Sequence, residues 1–270
     1  MKPLSLVIEP DELEAHLAQP DLLIVDLCKP SLYTQIHIPG AVHLDYSAII
    51  QIKKPVMGLL PEIAELNKIL SSIGFNNDHH IIAYDDEGGG KACRLLWTLA
   101  ACGHKKMSLL NGGIVAWANE KHPVSSDIPQ IEPTSVHLEY INTDAVADRH
   151  YIMSKLDDAE TKFLDARTAE EFSGMKRLAE KAGHIPGAVN LDWMLTMDKQ
   201  NNLRFLPENK LNEMLSERKI TPDKEVIVYC QSHHRSAHTW IMLKSLGYKK
   251  VRGYHGSWSD WGNHPDTPVE

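Results

Sequence analysis

In the stretch VIVYCQSHHRSAHTW, Val226 to Trp240, four apolar residues run directly into Cys230. A polar loop of Gln231, Ser232, His233, His234, Arg235 and Ser236 follows at once. A thiol in this setting is a packing residue, a metal ligand or a nucleophile. Six polar residues after the strand make packing a poor explanation. For a metal, Cys230, His233, His234 and His238 lie close in sequence, but a tight turn would aim backbone rather than imidazoles at the sulfur, so no metal is expected. For a nucleophile the pattern is coherent. A helix is expected to begin near Arg235 and Ser236, and its first N–H groups have no intrahelical partners. Together with the helix dipole they form an anion cradle, in which a thiol should ionise readily. Arg235 adds a permanent positive charge, and His233 and His234 are candidates to titrate near neutrality. Cys230 is therefore the candidate catalytic residue, and residues 231–236 the candidate binding loop for a small anion.

The remaining cysteines, Cys28, Cys93 and Cys102, are scattered and form no Cys-x-x-Cys pair. They are expected to be core filler in a reducing compartment rather than a disulfide framework or a structural zinc site.

The elements that must position the loop are organised by an internal repeat. HIPGAVHLD at His37–Asp45 returns 147 residues on as HIPGAVNLD at His184–Asp192, with eight of nine positions identical. An apolar run ending in Asp precedes each copy, with Asp26 in LLIVDLC and Asp165 in TKFLDAR. Further on, HIIAYDDEGGGKACRLLWTLAACGHKKMSLLNGGIVAW parallels EVIVYCQSHHRSAHTWIMLKSLGYKKVRGYHGSWSDW, which sets Asp85 against Cys230, Gly103 against Gly247 and Trp117 against Trp261. The chain thus reads as a tandem duplication: a first domain over 1–125, a proline-broken linker over 126–137 and a second domain over 138–270. In the second half DAVADRHYIMSKL reads as a helix, KFLDA and AVNLD as strands, PENKLNEMLSERK as a helix with Pro207 near its first turn, and EVIVYC as a buried strand. RSAHTWIMLKSLG reads as a helix closed by Gly247, and KKVRGY as the last strand. Apolar strands without polar alternation, separated by helices, predict an α/β fold in each half, a mostly parallel sheet flanked by helices on both faces.

Composition excludes several classes. With 270 residues, 43% hydrophobic and 24% charged, the chain is an ordinary globular one. A formal net charge of −8 argues against nucleic acid as a partner. The N-terminal residues lack the apolar core of a signal peptide, and no run approaches the roughly 18 apolar residues of a membrane span, so a cytoplasmic protein without a membrane partner is expected.

The ordered motifs resemble those of the tandem-domain rhodaneses, which comprise thiosulfate and 3-mercaptopyruvate sulfurtransferases. The loop CQSHHRS is similar to that of bacterial rhodaneses with a Cys-Gln-x-His-His-Arg loop. The resemblance implies two rhodanese-like domains, an inactive first one with Asp85 in place of the nucleophile and a catalytic second one. It implies a double displacement in which Cys230 takes sulfur from a small anionic donor, thiosulfate foremost, to form a persulfide. The sulfur then passes to cyanide or to a thiol such as thioredoxin, glutathione or another protein thiol; no cofactor is implied. One position departs from the family pattern: Glu171 in EEFSGMKR stands where many members carry a donor-binding Arg, and Lys176 or Arg177 are candidates to replace it. The alternatives are a 3-mercaptopyruvate donor, a cysteine-dependent phosphatase or arsenate reductase, and a non-catalytic interaction module. The phosphatase signature has five residues between Cys and Arg, and here there are four.

Overall fold

The strand Glu225–Tyr229 is buried on both faces, and Val226 to Tyr229 have no exposed surface. Such a strand belongs in the middle of a parallel sheet. A computed structural model, which describes residues 4–270, shows this arrangement twice. In one sheet the order is Val7–Ile8, Met107–Leu110, His80–Tyr84, Leu22–Asp26, Val42–His43. In the other it is Val146–Ala147, Val251–Tyr254, Glu225–Tyr229, Thr161–Asp165, Val189–Asn190. All pairings in both sheets are parallel. The two halves of the repeat therefore build the same α/β topology, with helices packed on each sheet. Helix Gly90–Ala101 lies against His80–Tyr84 and Met107–Leu110, and helix Arg235–Ser245 against Glu225–Tyr229 and Val251–Tyr254.

The HIPGA motifs are structural. The Ile38 N–H donates to the Tyr84 hydroxyl at 3.1 Å, and the Ile185 N–H to the Tyr229 hydroxyl at 3.2 Å. Each His ring stacks on the aromatic residue ahead of it, His37 on Tyr33 and His184 on Phe172. Both motifs thus brace the tyrosine that immediately precedes Asp85 or Cys230.

The element expectations hold around the site and differ at its margin. The helix after Cys230 runs from Arg235 to Ser245, and Gly247 follows with φ +87°. Pro207 caps the helix Glu208–Glu217. The segment expected as one helix over DAVADRHYIMSKL is divided. Val146–Ala147 is drawn into the sheet beside Gly253 and Tyr254, and only Arg149–Met153 is helical, its first turn capped by the Asp148 carboxylate. Residues 126–137 carry no helix or strand.

Two short hairpins were not foreseen. Gln51–Lys53 pairs with Val56–Leu59, and Met197–Asp198 with Arg204–Phe205. The chain divides into two compact units, and each takes a hairpin segment from the opposite half of the sequence. The first comprises residues up to Ile49, Pro61–Ile141 and Asp198–Phe205; the second comprises Ile50–Leu60, Asn142–Met197 and Leu206–Glu270. Among the described residues no helix is long and apolar enough to cross a membrane.

Candidate active site

Cys230 follows the last residue of the strand Glu225–Tyr229, and the chain turns around it before the helix Arg235–Ser245 begins. The turn demands unusual backbone: His233 has φ +53°, in the left-handed region. A second segment holds it. The Trp258 N–H donates to the Cys230 carbonyl at 2.9 Å and the Ser259 N–H to the Gln231 carbonyl at 3.0 Å. The Ser257 hydroxyl accepts from the N–H of Cys230 at 3.3 Å and of His233 at 3.1 Å, and donates to the Tyr254 carbonyl at 2.7 Å. Ser257 itself sits at φ +50°, a conformation that costs a β-carbon-bearing residue about 1 kcal/mol or more. The hydroxyl is what this strain secures. On the other side, Gly58 of the hairpin Val56–Leu59 packs flat on the loop, and a β-carbon there would lie 2.0 Å from the Ser232 carbonyl oxygen. The hairpin is fixed by the Met57 N–H, which donates to the Ser259 hydroxyl at 2.9 Å.

The sulfur is buried, with Cys230 1% exposed and packed with Ala166, Trp193 and Met197. Burial by itself pushes a thiol up. Here the Arg235 charge, the Ser236 hydroxyl and N–H, and the Ser232 N–H outweigh burial and hold Cys230 below the ordinary thiol value. The other three cysteines go the opposite way: burial pushes Cys28 and Cys93 up, and Cys102 up to about 12. All four are free thiols, and only one is poised to ionise. The Ser236 hydroxyl reaches Sγ at 3.4 Å, and its oxygen is 2.8 Å from His233 Nδ1. A hydroxyl has one proton to give. If it goes to sulfur, His233 must be the donor to Ser236, which assigns the imidazole proton to Nδ1.

Arg235 is half engaged elsewhere. Its Nη1 and Nη2 donate to Glu171 Oε2 at 2.6 Å and Oε1 at 2.9 Å. The other loop residues divide between the pocket and its surroundings. Gln231 turns outward and donates to the Leu178 carbonyl at 3.1 Å. His234 and His238 meet the Trp193 ring edge-on, with centroids 5.6 and 5.3 Å apart. His233 is buried against Ser236. Thus Ser232, Arg235 and Ser236 converge on the thiol, His233 reaches it through Ser236, and Gln231 and His234 point to neighbouring structure. Arg177 is tied to its own loop through the carbonyls of Ala179 and Glu180. The Lys176 N–H donates to the Glu170 carbonyl at 2.8 Å. Among the described residues no cluster of three or more His, Cys, Asp or Glu is placed to hold a metal ion.

Sequence reasoning missed Ser257 and the hairpin glycine. A signal for Ser257 was present. Aligned on Trp117 and Trp261, the two closing motifs GGIVAW and GSWSDW set Gly113 against Ser257. Gly113 has φ +54° and the Ile114 N–H donates to the Asp85 carbonyl at 3.1 Å, as Trp258 does to Cys230. A serine replacing glycine at a left-handed position is there for its hydroxyl.

The corresponding loop of the first unit is filled by its own side chain. Asp85 is fully buried, and its Oδ1 accepts from the N–H of Glu87 at 3.0 Å and Gly89 at 2.8 Å. Oδ2 accepts from Lys91 at 2.9 Å and Ala92 at 3.0 Å. The amide cradle is thus the same device, occupied by a carboxylate. Upstream, Cys28 stands where the second unit has Arg167. Arg167 pairs with the buried Asp165 at 2.6 Å, whereas burial raises the unmatched Asp26.

A duplicated parallel α/β unit, with a thiol wrapped by a strand-to-helix loop in one copy, defines the class. The rhodanese-like domain family matches residues 9–120 and 148–264, and the chain belongs to it. Its relatives include the thiosulfate sulfurtransferase of Azotobacter vinelandii, 42% identical over 267 residues, and that of Pseudomonas aeruginosa, 43% identical over 267 residues. Each alignment covers 99% of this chain and 97% of the relative. The sulfur carrier protein TtuD of Thermus thermophilus is 29% identical over 278 residues, covering 98% of this chain and 96% of that protein. The fold also resembles the anaerobic ergothioneine biosynthesis enzyme from Chlorobium limicola, with a TM-score of 0.85 at 18% identity over 98% of this chain and 70% of that one.

Proposed function

We propose that this protein is a thiosulfate sulfurtransferase working through a Cys230 persulfide. The observation that carries the reading is that Cys230, alone among four buried thiols, is held below its ordinary value by donors converging on sulfur. Full-length relatives bearing the same activity support thiosulfate as donor. In the first half-reaction the Cys230 thiolate attacks the outer sulfur of thiosulfate. The new S–S bond forms as the S–S bond of thiosulfate breaks, and the bonding pair leaves with sulfite. The enzyme keeps an anionic persulfide, whose terminal charge is stabilised by fixed donors. In the second, cyanide or an acceptor thiolate attacks that terminal sulfur and regenerates the Cys230 thiolate.

Roles follow from the geometry. The Ser232 and Ser236 amides and the Ser236 hydroxyl stabilise sulfur anions, and Arg235 supplies the fixed positive charge. His233 orients Ser236. Gln231 and His234 shape the loop rim. The first domain, with its cradle filled by Asp85, carries no sulfur. A cytoplasmic setting, in which the thiols stay reduced, and a cellular thiol acceptor such as thioredoxin or glutathione belong to the same reading. Incubation with thiosulfate, followed by intact mass measurement, should show one added sulfur atom in the wild type and none in Cys230→Ala. An unmodified wild type that hydrolyses an aryl phosphate would overturn the reading.

A further inference from the structure

Glu171 is only 2% exposed. A carboxylate so buried needs a cation or several donors, and Glu171 has both. Its two oxygens meet the two Nη groups of Arg235 as a fork on a fork, at 2.6 and 2.9 Å. Oε2 also accepts from the Thr168 N–H at 3.3 Å, while the Thr168 hydroxyl accepts from the Glu171 N–H at 3.3 Å. This reciprocal cap fixes the carboxylate to the start of the four-residue helix Ala169–Phe172. Behind it lies the buried pair of Asp165 and Arg167. Two kinds of anchor thus immobilise Glu171, and Glu171 immobilises Arg235. Arg235 is in turn the strongest influence favouring the anionic form of the Cys230 sulfur.

We propose that Glu171 is a positioning residue for sulfur transfer, which aims Arg235 at the Cys230 sulfur and limits how much of its positive charge arrives there. The proposal rests on reading Cys230 as the sulfur carrier. The physical need is a compromise. An unopposed guanidinium in a buried site would bind the thiosulfate dianion tightly, but it would hold sulfite and the persulfide anion as well. Binding ground state and product more strongly does not speed the chemical step. With Glu171 as counter-ion, the pair is close to neutral at a distance, and local hydrogen bonds carry recognition. The same arrangement makes an arginine at position 171 unnecessary, because a second cation beside Arg235 would repel it.

Two variants separate charge from position. Glu171→Gln keeps the shape and an acceptor oxygen but removes the charge. Glu171→Asp keeps the charge but shortens the reach to Arg235. For Glu171→Gln the pH dependence of Cys230 alkylation by iodoacetamide should move to lower pH. The KM for thiosulfate should fall about 3- to 10-fold, the scale of one partly screened charge at short range. Its kcat should fall too, with stronger product inhibition by sulfite. Glu171→Asp should leave the KM near the wild-type value and lower kcat.

A folded Glu171→Gln variant with an unshifted alkylation profile and unchanged KM would overturn the proposal. Where that variant does not fold, Glu171→Asp carries the test, and an unchanged kcat in it would overturn the positioning role. Alkylation requires no sulfur donor. A shifted profile in a protein that takes no sulfur from thiosulfate would therefore sustain the role of Glu171 and sink the sulfurtransferase reading instead.

Discussion

Replacing Ser236 by Ala removes one hydroxyl and leaves the Ser236 N–H in place, so it isolates a single donor to the Cys230 sulfur. That donor is 3.4 Å from Sγ, and both residues are buried. A hydrogen bond to a charged acceptor contributes about 1.5–3 kcal/mol. The lower end applies, because sulfur is a large, diffuse acceptor and the Ser232 and Ser236 amides and Arg235 remain. At about 1.4 kcal/mol per factor of ten, the thiolate-to-thiol ratio at any fixed pH should fall roughly tenfold. The assay is the rate of iodoacetamide alkylation of Cys230 against pH, read by intact mass, with the three buried cysteines as internal controls. The wild-type profile should rise below the pH at which a free thiol ionises. The Ser236→Ala profile should rise at higher pH, and its sulfur uptake from thiosulfate near neutrality should slow in proportion. An alkylation profile within about twofold of wild type at every pH would refute the reasoning, since the hydroxyl would then give the thiolate nothing.

Other perturbations test the frame around the loop. Ser257→Gly relieves a left-handed serine but orphans the N–H groups of Cys230 and His233. Sulfur uptake should drop at least tenfold as the loop loosens, and stability in urea titration should fall by about 1 kcal/mol or more, because two stranded buried N–H groups outweigh the strain relieved; unchanged uptake would contradict this. Gly58→Ala places a methyl 2.0 Å from the Ser232 carbonyl at a φ of +86°. The variant should therefore lose kcat/KM and more than about 1 kcal/mol of stability in urea titration. Asp85→Ala empties the first unit's cradle and strands four N–H donors. The denaturation midpoint of that unit should fall by the equivalent of about 3 kcal/mol or more, while the alkylation profile of Cys230 stays as in wild type.

Much of this architecture was legible because duplication wrote it twice. The apolar runs IIAY and VIVY announced central parallel strands, and the polar loop after Cys230 announced a candidate site at a strand end. The donors on sulfur could be anticipated only as a group, since a turn of φ +53° at His233 has no signature in a histidine. Glu171 looked like a loss of function at a binding position. It became intelligible only when Arg235, 64 residues away in sequence, was found on its carboxylate. Ser257 was readable in principle from the Gly113 comparison. The hairpins were not readable at all, because two to four residues of weak alternation carry too little periodicity to compete with a loop.

Those hairpins bear on the order in which the chain acquires its structure. The first unit needs Asp198–Phe205, where Arg204 pairs with Glu9 at 2.7 Å and with Glu120, and the Phe205 N–H meets Asn111 at 2.9 Å. A ribosome has therefore released most of the second half before the first unit has all its parts. The second unit, conversely, waits with residues 50–60 already made. Cutting the gene at the middle would give two fragments that each lack a piece held by the other, so the pair is inherited, expressed and lost as one object. That ties the domain whose loop carries Asp85 to the one whose loop carries Cys230, and it gives selection a reason to keep both.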